Sequence, residues 1–138
     1  MKKVKMLCTL AALMFGIGLA ANAQCSDDDV LDGCSNELKP GFRYLKTYDI
    51  DGDGEFSYVF SRGNTYLIQT CEEASLNKNV KITVMDRTKH KIAANYDRAG
   101  KISNSLLAYR CNSTSIYYVK FELVDDDPEC AVGILGFK

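Results

Sequence analysis

The 138-residue chain has no tryptophan, two prolines, one histidine and no Cys-x-x-Cys pair. With His90 as the sole imidazole and no such cysteine pair, a zinc site is poorly supported. A catalytic triad would have to use that same histidine, and no serine lies in a Gly-x-Ser-x-Gly turn. His90 also falls in a basic segment between two predicted strands, which favours an exposed loop. These absences predict a protein that is not an enzyme.

Residues 1–23 have the three parts of a secretory signal peptide. Lysines at the start precede an apolar stretch from Leu7 to Leu19, and Ala21-Asn22-Ala23 forms an A-x-A cleavage site that leaves Gln24 as the new N-terminus. A transmembrane anchor needs about 20 apolar residues, whereas glycines interrupt this run. We therefore predict a secreted or periplasmic protein without a membrane span.

Cleavage would leave 115 residues, the length of one domain, with 14 basic and 18 acidic side chains. The acidic residues cluster at 27–29 and at 125–127. A surface that binds nucleic acid needs clustered Lys and Arg, which this balance does not provide. We expect no nucleic-acid partner, and the remaining ligand classes are a protein or a carbohydrate.

The mature chain divides into a polar tail, residues 24–40, and a domain, residues 41–138, in which apolar and polar residues alternate. Alternation with period two, between segments rich in Gly, Asn and Asp, is typical of short β-strands. Eight such strands predict an all-β, antiparallel β-sandwich stabilised by disulfides. Their predicted bounds are Phe42–Tyr48, Glu55–Phe60, Thr65–Thr70, Val80–Asp86, Lys91–Asn95, Ser105–Arg110, Ser115–Leu123 and Ala131–Phe137.

Several tyrosines lie within these strands and offer two interpretations. As a group they are suited to an aromatic platform for a sugar or peptide. Alternation instead directs several of them into the interior, and we predict that they belong mainly to the core. They are Tyr66, Tyr109, Tyr117 and Tyr118.

The order of the strands resembles the jelly-roll sandwich of bacterial pre-peptidase C-terminal domains. A strand that ends in a turn at Gly63 precedes a core strand, then a strand that closes on Asp86, and later a strand with Tyr117-Tyr118. The final Cys-x-x-Gly-x-Leu-x-Phe segment, residues 130–137, is similar to that of small exported bacterial proteins of unassigned function. These resemblances imply a jelly-roll-like fold and a non-catalytic accessory or envelope protein.

Five cysteines remain after cleavage, and an oxidising compartment favours their pairing. In a jelly roll the Thr65 strand runs antiparallel to the last strand, which implies a Cys71–Cys130 bridge at one end of the sandwich. Cys111 and Cys130 would lie at opposite ends of the Ser115 strand, too far apart to bridge. The resemblance therefore leaves Cys34 for Cys111, and Cys25 as a free thiol or a link to another chain.

The segment from Asp49 to Glu55 places carboxylates at alternate positions before a glycine, a spacing that can wrap Ca²⁺. Asp49, Asp51, Asp53 and Glu55 are the candidate ligands of a weak calcium site. The position that supplies a bidentate Glu in an EF-hand is Phe60, and strands flank the loop where an EF-hand has helices. The alternative is a hairpin turn, since Asp-Gly is a strong turn signal.

Three functional hypotheses follow. The first is a non-catalytic exported module that acts by binding, at the bacterial envelope or outside the cell. The second is a small secreted hydrolase. The third is a structural role as a disulfide-linked dimer through Cys25.

Overall fold

The computed structural model describes residues 38–72, 75–76, 79–124 and 130–138. These residues form nine strands and no helix. No helix within them is long and apolar enough to cross a membrane. The strands are β1 (Arg43–Asp51), β2 (Gly54–Phe60), β3 (Thr65–Glu72), β4 (Ser75–Leu76), β5 (Val80–Met85), β6 (Lys91–Ala94), β7 (Leu106–Arg110), β8 (Ser115–Leu123) and β9 (Cys130–Phe137).

The strands pack as two antiparallel sheets, which confirms the predicted β-sandwich. One sheet has the order β1-β9-β3, with β7 and the short β4 both paired to the far side of β3. The other has the order β2-β8-β5-β6. The predicted antiparallel pairing of the Thr65 strand with the last strand is confirmed, since Tyr66 lies opposite Phe137.

All eight predicted strands are present, and β4 is an addition to them. The hairpin expected at Asp51-Gly52 is wrong, because β1 pairs with β9 while β2 pairs with β8. The chain crosses from one sheet to the other at this point. Gly52 has a φ of 73°, a conformation that a residue with a Cβ adopts at a cost, and this permits the sharp turn.

Aromatic rings fill one end of the space between the sheets. The Phe60 ring stacks on Tyr66, with centroids 3.9 Å apart, and on Tyr117, with centroids 5.0 Å apart. Tyr66 and Tyr117 are buried, and Tyr109 packs against the same cluster. The prediction that these three tyrosines belong to the core is confirmed. Tyr118 differs, because its position on β8 faces out of the sandwich.

A second aromatic group lies where β1 and β2 face each other. The rings of Tyr48 and Phe56 have centroids 4.5 Å apart, and Phe121 lies 6.0 Å from both. Burial raises the pKa of Tyr48 to about 12, with a smaller contribution from Tyr58. The hydroxyl of Tyr48 is buried and has no hydrogen-bond partner among the described residues.

Candidate binding face

Strand alternation directs a row of side chains on β2 and β8 away from the core. Val59 lies opposite Ile116, and Ser57 lies opposite Tyr118. Val59 is 54% exposed and Ile116 is 47% exposed, although their strand neighbours Phe60 and Tyr117 are buried. We call the surface formed by Ser57, Val59, Ile116 and Tyr118 the Tyr118 face.

A shallow groove runs along the Tyr118 face. Its volume is about 400 Å³, and its lining residues are Ser57, Tyr58, Val59 and Ile116. Val59 and Ile116 line it with branched aliphatic side chains and Ser57 with a hydroxyl, whereas the Tyr58 side chain packs against the core on the other side of β2. Such a groove can accept an apolar side chain of a partner while offering hydrogen bonds at its rim.

A basic turn between β5 and β6 reaches over the Tyr118 face. The Lys89 ammonium lies 3.4 Å from the centroid of the Tyr118 ring and also pairs with the Glu55 carboxylate. An ammonium over a tyrosine ring is attracted by the negative face of the ring. Lys89 therefore links this turn to the side chains of two neighbouring strands, β2 and β8.

Local hydrogen bonds hold this turn in place. Asp86 Oδ1 accepts hydrogen bonds from the hydroxyl of Thr88, at 2.7 Å, and from the backbone N–H groups of Thr88 and His90. The hydrogen bond from the Thr88 side chain is the largest cause that lowers the pKa of Asp86, and the one from the His90 backbone comes next. This network holds Lys89 at a φ of 66°, which a residue with a side chain rarely adopts.

Beyond Tyr118 the same sheet surface becomes polar and basic. Lys120 Nζ donates to Glu122 Oε1 at 2.9 Å, and this hydrogen bond raises the pKa of Lys120. The Tyr96 hydroxyl lies 2.9 Å from Thr83 Oγ1. Lys81 and Lys91 each place their ammonium 5.2 Å from the centroid of the Tyr96 ring. The outer surface of this sheet thus changes from apolar at Val59 to cationic at Lys81.

His90 lies in the exposed turn that the sequence favours. Its side chain is 81% exposed, and Nδ1 is 2.6 Å from Thr88 Oγ1 and 3.8 Å from Asp86 Oδ2. Asp, Thr and His thus come together, but within five residues of a solvent-exposed turn. Within the part of the chain that the structure describes, no side-chain hydrogen bond joins this group to another strand. The arrangement shapes the turn and provides no enclosed site for a substrate.

The structure separates two of the four predicted calcium ligands, Asp49 and Glu55, and the calcium site as a whole stays a prediction. Asp49 lies on β1 and Glu55 on β2, and each is exposed on the outer side of its own sheet, so the two carboxylates face opposite sides of the sandwich. Glu55 pairs with Lys89, and Asp53 Oδ1 accepts a hydrogen bond of 3.3 Å from the Leu123 backbone. The side chain of Asp51 lies outside the described residues. Within them, no group of three or more metal-binding side chains is present.

The predicted pairing of Cys34 with Cys111 requires correction. Cys111 is a free, buried cysteine whose Sγ donates to the Ser113 carbonyl at 3.1 Å. It lies between the sheets, whereas Leu38 packs against the outer side of the five-stranded sheet. Cys34 and Cys25 themselves lie outside the described residues.

Cys71 forms a disulfide, and its partner lies outside the described side chains. Cys71 pairs in register with Val132, two residues along β9 from Cys130. The side chain of Cys130 is not described, so the Cys71–Cys130 bridge stays a prediction.

Sequence reasoning missed Lys89 and the Val59–Ile116 pair. Alternation identifies which side chains of a strand share a face, but it does not say which strands are neighbours or which face is covered. The one available signal was the Asp-x-Thr-x-His pattern at residues 86–90, which is suited to a side-chain-capped turn. It predicts a turn, and it does not predict that Lys89 crosses to Tyr118.

No known protein family matches the sequence, and no curated protein is similar to it. Among solved structures, the chain is similar to PliG from Aeromonas hydrophila, described as a periplasmic lysozyme inhibitor of g-type lysozyme. The two share 10% identity with a TM-score of 0.45, over 74% of this chain and 90% of that chain. At this degree of similarity the likeness supports no statement about the function of the present chain.

Proposed function

We propose that the chain is an exported, non-catalytic module that binds a protein through the Tyr118 face. The observation that carries this proposal is the exposed Val59–Ile116 pair, adjacent to a tyrosine ring under a lysine. Centres of protein interfaces combine aromatic and aliphatic side chains, with polar groups at the rim. The Tyr118 face has this composition.

The jelly-roll class of sandwich is part of the same proposal. The strand orders β1-β9-β3-β7 and β2-β8-β5-β6 interleave early and late strands, as two Greek keys do. Such folds serve many functions, so the fold alone does not choose among them. We infer export, with cleavage before Gln24, from the signal peptide. The likeness to pre-peptidase C-terminal domains stays a prediction.

The charge around the Tyr118 face favours a partner with carboxylate groups. Residues 79–101 carry six Lys or Arg side chains and two Asp, although the chain as a whole has a net charge of −1. A carbohydrate would favour an open aromatic ring on which to stack. Here lysine ammonium groups lie over both Tyr118 and Tyr96. A protein that presents apolar and acidic side chains together fits this surface better than a sugar does.

A site-specific cross-link tests the proposal. A photoreactive benzoylphenylalanine replaces Ile116 in the exported protein of living cells, and a matched variant carries it at Ile92, an exposed apolar residue of β6. We expect an adduct with a second protein species from position 116 that is absent from position 92. Co-expressed wild-type protein in excess should suppress this adduct, and an equal excess of the Ile116→Asp protein should not.

Two outcomes would contradict the proposal. Identical adducts from positions 116 and 92 would mean that contacts are unspecific. Equal competition by wild type and Ile116→Asp would mean that a specific partner binds away from the Tyr118 face.

A further inference from the structure

The four outermost strand edges of the sandwich differ in how they are protected. Exposed strand edges invite pairing with other chains, and proteins block them with charges, bulges or short strands. β1 has a bulge between Tyr44 and Lys46 and also carries Arg43. β6 has four residues, begins at Lys91 and pairs with β5 through an irregular register. β7 has five residues and ends at Arg110.

β2 has none of these devices. It runs for seven residues in unbroken register with β8, its sole partner among the described strands. It contains no Pro, Lys or Arg, and its single charge, Glu55, pairs with Lys89. Ser57 and Val59 are exposed on the outer face, and the inward Phe56 and Tyr58 are only partly buried, as is usual for an edge strand. The central run Phe56–Phe60 is uncharged and rich in residues that favour β-structure.

We propose that β2 pairs antiparallel with β2 of a second copy of this chain, so that two four-stranded sheets join into one of eight strands. The two-fold axis would be perpendicular to the sheet and lie between the two copies of one β2 residue. Each outward side chain of one copy then lies opposite an outward side chain of the other, as a continuous sheet requires. An axis near the middle of β2 also places the two Glu55 carboxylates toward opposite ends of the paired strands, where they do not repel.

A second copy fits this edge because the same segment supplies both halves of the pairing. The uncharged residues Phe56–Phe60 offer backbone N–H and C=O groups to the same residues of an antiparallel second copy, and no like charges lie opposite each other. Pairing also covers the edge side of Val59, while Ile116 and Tyr118 lie on β8, one strand further from the junction. The dimer would therefore present two Tyr118 faces on one sheet surface. This inference does not depend on the proposed partner protein.

Sedimentation velocity over a concentration series tests the dimer. The exported protein carries Cys25→Ser, so that no dimer can form through that cysteine. We expect a monomer–dimer equilibrium in which Ser57→Lys raises the dissociation constant by about tenfold or more, because an axis at Ser57, the middle residue of β2, sets the two lysines opposite each other. Ile92→Lys introduces the same charge at an exposed residue of the opposite edge of this sheet, and we expect the wild-type constant.

Hydrogen exchange provides a second measurement that needs no substitution. Amides of β2 should exchange more slowly as protein concentration rises, and amides of β1 should not change. A protein that remains monomeric to high concentration would overturn the proposal, as would equal effects of Ser57→Lys and Ile92→Lys. Neither result would affect the Ile116 cross-link to a different protein, so failure of the dimer and failure of the proposed function are distinguishable.

Discussion

The outer surfaces of the two sheets differ sharply, although both follow the same alternation. On the five-stranded sheet, the outward side chains of Leu67, Val132 and Ile134 are fully buried. On the four-stranded sheet, Val59 and Ile116 are about half exposed. These outward apolar residues of the five-stranded sheet thus form a second core, whereas Val59 and Ile116 lie on an open surface, although Met85 of β5, also outward, is buried. The Tyr118 face, on which we propose that a protein binds, is therefore distinguished by being open as well as apolar.

The sequence of the central strands explains part of this contrast. β9 reads Cys-Ala-Val-Gly-Ile-Leu-Gly-Phe, with small or apolar residues at every position. Strands that are apolar on both sides are typical of sheets covered on both faces. β8 instead alternates, and places Lys120 and Glu122 between Val119, Phe121 and Leu123. One covered face and one open face follow from that pattern.

The largest expected effect comes from removing apolar volume on the two surfaces in turn. Ile134→Ala should lower the free energy of unfolding by about 2 to 5 kcal/mol, because it leaves a cavity at a fully buried site. Ile116→Ala should change it by less than about 0.5 kcal/mol, as exposed positions do. Urea denaturation of both variants measures the difference. Equal losses would remove the contrast between the two surfaces.

Sequence reasoning succeeded where a single strand carries the information. The alternation of β8 was sufficient to predict that Tyr117 points inward, and the bounds of most strands agree with the structure. It failed where two distant segments must meet. The crossing at Gly52 depends on β1 and β2 joining different sheets, and the contact of Lys89 with Tyr118 depends on sheet order. Neither is encoded in a local pattern.

A pH titration sharpens the comparison by testing a third environment, the space between the sheets. Burial raises the pKa of Tyr48 to about 12 from its ordinary value of 10.0. The folded state therefore holds this proton more tightly than the unfolded chain does. The contribution of Tyr48 to the free energy of unfolding is complete below pH 10 and is lost as the pH rises toward 12. At about pH 11 the loss from this group should be about 1 kcal/mol.

Tyr48→Phe is the variant that isolates this effect. Phenylalanine does not titrate, so the alkaline loss of stability should shrink by the contribution of Tyr48. At neutral pH the variant should match or exceed the wild type, because it also removes a buried hydroxyl that has no partner. Chemical denaturation at neutral and alkaline pH measures both effects. An unchanged alkaline loss would show that Tyr48 is accessible to water.

The smallest expected effect concerns the turn that reaches over the Tyr118 face. Lys89 has a φ of 66°, and a left-handed conformation costs a residue with a Cβ about 1 kcal/mol. Lys89→Ala and Lys89→Gly both remove the ammonium from the Tyr118 ring, but only glycine removes the strain of the positive φ. Because glycine also gives the unfolded chain more freedom, we expect Lys89→Gly to be more stable than Lys89→Ala by about 0.5 kcal/mol. Thermal unfolding of the pair measures this difference, and its reversal would mean that the turn relaxes once the lysine no longer contacts Tyr118.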